Sequence, residues 1–139
     1  MKQPFAIRAL TWFVVLASAG MFVSIVLAIL DVGPHFMGGE RVNRSEWLHI
    51  AAPLVAVIGW LMASIAYAFA AGKSHSRHLV MAIFVLIVVY ASTLSALGVL
   101  RHTIMWRAIV NASLFGCVAA WYFYFKPNVA AYFRELGTR

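Results

Sequence analysis

The chain has 139 residues, 64% of them hydrophobic and only 11% charged, with a net charge of +7. A water-soluble domain of this size has too much surface to cover with so few polar groups, since soluble proteins carry about a quarter charged residues. The composition therefore excludes a soluble fold and makes lipid the main solvent. The positive charge does not indicate a nucleic-acid partner, because the Lys and Arg residues stand singly or in pairs between apolar stretches, with no basic run.

The N-terminus imitates a secretion signal: Lys2 and Arg8, an apolar Ala9 to Leu16, then Ala17-Ser18-Ala19. The apolar run nevertheless continues through Leu30, which predicts an uncleaved first span over about 9–30, starting as early as Phe5. Asp31 and Gly33-Pro34 end it. An outer loop, 31–46, follows, with turns expected at Gly33-Pro34 and Gly38-Gly39. Its last residues, Asn43-Arg44-Ser45-Glu46, read as a helix start, in which Asn43 or Ser45 accepts from free backbone N–H groups.

Three further spans are predicted over 47–71, 79–100 and 107–125. Each has the roughly 20 apolar residues that a helix needs to cross about 30 Å of hydrocarbon. Pro53 cannot donate to the carbonyl of His49, so the second span should bend there. After Pro127, Val129, Tyr132, Phe133 and Leu136 fall at i, i+3, i+4 and i+7, with Arg134, Glu135 and Arg139 off that stripe. The tail, 127–139, reads as a short amphipathic helix lying on the inner leaflet. The expected fold is all-α: one domain over 1–139, built as a four-transmembrane-helix, up-down-up-down bundle.

Orientation follows the cations. Lys2, Arg8, Lys73, Arg77, Lys126, Arg134 and Arg139 share the side of both termini, against Arg41, Arg44, Arg101 and Arg107 on the other. The bias places the termini in the cytoplasm and the protein in the inner (plasma) membrane. Trp47 and Trp106 are expected at the outer interface, and Trp121, Tyr122 and Tyr124 at the inner one.

Helices in lipid pack through small residues, because lipid tails remove the hydrophobic drive between them. The fourth span carries Ala108, Ala112, Gly116 and Ala120 at four-residue spacing, and the first carries Gly20, Ser24 and Ala28. Gly59 and Ala63 on the second span and Ala91, Ser95 and Gly98 on the third add to the pattern. Spacing alone does not distinguish a face within the bundle from contact with another chain.

No Asp, Glu, Lys or Arg lies at mid-membrane depth, where pumps and proton-coupled carriers keep one. The polar residues lie near the outer ends instead. Asp31, His49, His102 and Asn111, one from each span, would converge into a polar pocket if all four face inward. Neutral imidazoles ligate metals, so His49 and His102 are candidates for a haem, metal or quinone site. The plainer reading makes them interfacial histidines reaching headgroups and water. His75 and His78 flank Arg77 in a basic loop that suits anionic lipid heads. Cys117, the only cysteine, reads as a small packing residue, and Trp60 and Tyr90 as aromatic core.

The function expected on these grounds is that of a non-enzymatic accessory or assembly subunit. Its partners would be the bilayer and other membrane subunits or a second copy, with no nucleic acid and no resident cofactor. The rivals are a redox protein using His49 and His102 and a lipid or small-solute transporter.

Overall fold

A computed structural model describes residues 4–138. It contains five helices: α1 (Phe5–Ile29), α2 (Arg44–Ala70), α3 (Ser76–Ala96), α4 (His102–Phe125) and α5 (Pro127–Gly137). The first four are long and apolar enough to span a membrane. They form an up-down-up-down bundle, so α1 and α3 begin, and α2 and α4 end, at the terminal face; the opposite end is the hairpin face. Large apolar side chains such as Trp12, Leu16, Val85 and Leu114 point outward while Ile7, Val14 and Ile65 are buried. Helices apolar all round are stable only where the surroundings are apolar too.

The helix ends have local causes. Gly72 (φ +62°) and Gly98 (φ +72°) take the left-handed conformation that closes a helix. The next N–H in each case reaches back five residues, Lys73 to Ala68 and Val99 to Leu94. The third span therefore stops at Ala96 rather than running to Leu100, and the fourth starts at His102 rather than Arg107. Asp31 (φ +56°) plays the same part after α1, with Val32 donating to the Leu27 carbonyl. Asn43 caps α2, its side-chain oxygen accepting from the Glu46 N–H at 2.7 Å, so this helix starts inside the segment read as loop. Ahead of Pro53, residues Trp47–Ala51 form a π turn, the form that the expected irregularity takes.

The loop holds an unexpected element. His35–Met37 (β1) and Glu40–Val42 (β2) pair as an antiparallel hairpin, Phe36 opposite Arg41. Its two turn residues, Gly38 (φ +58°) and Gly39 (φ +81°), supply the positive φ pair that a two-residue turn requires. Trp47 is buried beneath the hairpin, and its indole N–H donates to the Phe36 carbonyl at 3.2 Å.

Contact between spans follows chain order: α1 packs on α2, α2 on α3, and α3 on α4. The Ser18 hydroxyl donates to the Gly59 carbonyl at 2.8 Å, and the missing Cβ of Gly59 admits the Phe22 ring. Tyr90 donates to the Ile50 carbonyl at 2.7 Å, joining α3 to α2. The α1–α4 pair has no comparable packed contact, so the bundle is open along one seam.

At the terminal face, α5 turns back onto the bundle. Phe133 is 1% exposed and lies tilted against Phe69 and edge-on to Phe123, with Ile7 in the same core. Val129 and Tyr132 are buried and Leu136 packs alongside. The stripe expected to face the inner leaflet faces the protein instead, because the aromatic ends of α2 and α4 offer it a closer apolar surface.

Candidate functional site

The expected polar pocket does not assemble; its members have separate, local partners. Asp31 lies 3.3 Å from His35 Nε2. His49 donates from Nδ1 to the Ser45 carbonyl at 2.7 Å, one turn back on its own helix; a carbonyl only accepts, which fixes that tautomer. His102 Nδ1 lies 3.4 Å from the Ser95 hydroxyl, and Asn111 is exposed. Among the described residues no group of three or more His, Cys, Asp or Glu is placed to hold a metal ion.

What the hairpin face does build is a clamp around Glu40, absent from the expectations. Its carboxylate accepts from the Thr103 hydroxyl at 2.8 Å and from Arg101 at 3.1 Å, with Arg107 3.8 Å away. Arg101 also reaches Glu46 at 3.5 Å, and Arg107 donates to the Gly38 carbonyl at 2.9 Å. The Thr103 hydrogen bond first, then Arg101 and Arg107, hold the Glu40 carboxyl below its usual range. Arg44 donates to the Ala28 and Ile29 carbonyls, placing a cation at the negative end of α1. The available signal was composition: three of the chain's four acids, Asp31, Glu40 and Glu46, fall in the 16 residues from 31 to 46. Beneath the hairpin, Met37, Gly38, Tyr90, Leu94 and Ile104 enclose a small apolar cavity of about 170 Å³.

The larger intramembrane feature was not anticipated either. An apolar cleft of about 460 Å³ touches all four spans, through Leu10 and Phe13 of α1, Met62 of α2, Phe84 of α3, and Phe115 and Val118 of α4. It lies in the half of the bundle nearer the terminal face and ends at Trp121, Tyr122 and Phe123. Phe13 and Phe115 line it and yet are 63% and 59% exposed, so it opens sideways along the α1–α4 seam. A separate groove of about 560 Å³ runs at the terminal face between the end of α2, the turn after it and α5, with Lys73, Ser74, His75 and Glu135 on its walls.

The small-residue ridges have specific places. Ala112 and Gly116 are buried and Ala108 and Ala120 half-buried, with Gly116 against Phe84; this ridge seats α4 on α3. Ser24 donates to the Met21 carbonyl of its own helix, whereas Gly20 is exposed and a Cβ there would meet open space. Gly20 is thus no part of a contact within the chain, its face of α1 being turned away from α2. Cys117 and Trp60, expected to pack inside, are exposed on outward faces.

Cations and rings alternate at the terminal face. Arg77 lies over the Tyr124 ring at 5.0 Å and Lys126 over Tyr122 at 5.1 Å, while the Tyr124 hydroxyl is 2.7 Å from His78 Nδ1. Comparison with protein-family models, with curated proteins and with solved structures found no match.

Proposed function

We propose that the protein is a non-enzymatic integral membrane protein that holds the hydrocarbon chain of a membrane lipid in the cleft between α1 and α4. The observation that carries this reading is the 460 Å³ apolar cleft, reached by all four spans and open to the side. Its size falls within the roughly 300–1,000 Å³ of ligand sites. An apolar void excludes water, and its walls forgo dispersion contacts until something apolar fills it. At this depth the abundant filler is a lipid tail. The spans bring no mid-depth charge, so ion coupling plays no part in the reading. The cation bias supports an inner-membrane protein with cytoplasmic termini.

The test is native mass spectrometry of the full chain after gentle detergent extraction. Wild type should retain phospholipid, and Ala119→Trp, which fills the cleft, should lose it. A wild type that carries none, or an Ala119→Trp protein that carries as much, would overturn the reading.

A second reading, the accessory subunit, draws on Gly20. A glycine exposed beside Leu16 and Val23 on α1, with open space where its Cβ would be, leaves room for a partner helix to approach closely. Gly20→Leu should then remove a co-purifying subunit; a wild type found alone at native levels would count against it.

A further inference from the structure

We infer that the lipid held in the cleft is anionic and comes from the leaflet at the terminal face, with its headgroup at Lys126. This rests on the cleft reading above and adds the chemical class of the ligand. The first observation is the distribution of compensated charge. Among the described residues, every ion pair lies at the hairpin face: Asp31–His35, Arg101 with Glu40 and Glu46, and Arg107 with Glu40. The terminal face holds Arg8, Lys73, Arg77, Lys126 and Arg134 against the single acid Glu135, and no ion pair among the described residues joins them.

The second observation is position. The cleft ends at Trp121 and Tyr122, and the Lys126 ammonium lies 5.1 Å from the centre of the Tyr122 ring. One side chain thus forms the cleft wall and carries the cation above it. A chain entering along the α1–α4 seam from this leaflet brings its phosphate to the level of Lys126. A zwitterionic headgroup brings a cation of its own to the same place and offsets the attraction. An acidic headgroup does not, so charge complementarity selects it.

The experiment reconstitutes the full chain in vesicles of equal phosphatidylglycerol and phosphatidylcholine with identical acyl chains, and reads retained lipid by native mass spectrometry after extraction. Wild type should retain phosphatidylglycerol about fivefold over phosphatidylcholine, the effect of one cation at an anionic surface. The preference should shrink as salt rises. Lys126→Gln should keep a bound lipid and lose the preference; Ala119→Trp, or Leu10→Trp from the opposite wall, should lose both lipids. Equal retention of the two lipids by wild type overturns this inference and leaves the cleft reading standing. An unchanged preference in Lys126→Gln also overturns it. No retained lipid at all overturns the cleft reading itself.

Discussion

The hydroxyl of Thr103 donates to the carboxylate of Glu40 at 2.8 Å, tying the turn of the hairpin to the first turn of α4 across 63 residues of chain. Arg101 and Arg107 approach the same carboxylate, so one acid holds the hairpin down on the bundle. Because these partners lower the Glu40 pKa in the folded protein, the clamp stabilises above the ordinary carboxylate range. That contribution fades as the pH falls through the lowered value. Wild type should melt above Glu40→Gln at about pH 7 and level with it once the pH is well below about 4. The difference should be small and sensitive to salt, as befits exposed charges. Melting in detergent micelles across this range checks it; a gap that widened on acidification would contradict the clamp.

Gly38 is the tightest point of the hairpin. Its φ is +58°, and a Cβ there would lie 2.8 Å from Ile104 Cγ2. Gly38→Ala should cost about 1–2 kcal/mol from the backbone alone, with the clash added. Gly39→Ala shares the φ penalty but meets only the Arg107 guanidinium at 3.4 Å, so it should cost less. Trypsin cleavage at Arg41 reports on both, and Gly38→Ala should be nicked faster.

The ridge on α4 gives a paired prediction. A Cβ at Gly116 would come within 3.3 Å of the Phe84 Cβ, so Gly116→Val should overpack the α3–α4 contact and cost about 1–3 kcal/mol. Gly20→Val adds its side chain to open space and should stay within about 0.5 kcal/mol. Equal effects in an unfolding titration would mean that the ridge does not seat one span on the other.

Phe133 decides how α5 is placed. Packed between Phe69 and Phe123 at 1% exposure, it should cost about 3–5 kcal/mol when cut to Ala. A helix lying on the leaflet would lose membrane affinity instead and leave the thermal stability of the bundle unchanged.

These residues also show what the sequence makes legible. The four spans are plain because length and apolarity are set by the bilayer itself, and the Asn43 cap because its partner is three residues away. Gly72 and Gly98 carried the ends of α2 and α3, and reading the third span through to Leu100 passed over the second of these signals. The Glu40 clamp escaped because its partners lie some 60 residues distant, with no periodicity linking them. The polar pocket failed for a related reason: Ser45 and Ser95 stand within a turn or two of His49 and His102, and such local partners take up a ring nitrogen first. The α1–α4 seam was not legible because a face turned to lipid and a face turned to another helix have the same apolar composition. The same ambiguity let the Phe133 stripe pass for a membrane surface.

The lipid cleft itself is tested most directly by photolabelling. A phospholipid carrying a diazirine midway along one chain is equilibrated with the membrane-embedded protein, photolysed, and its adducts located by peptide mapping. A chain lodged between α1 and α4 labels the inward walls at Met62 and Phe84 in addition to the outer surface. Adducts confined to outward residues such as Trp60, Val85 and Leu114, with Met62 and Phe84 untouched, would contradict the account.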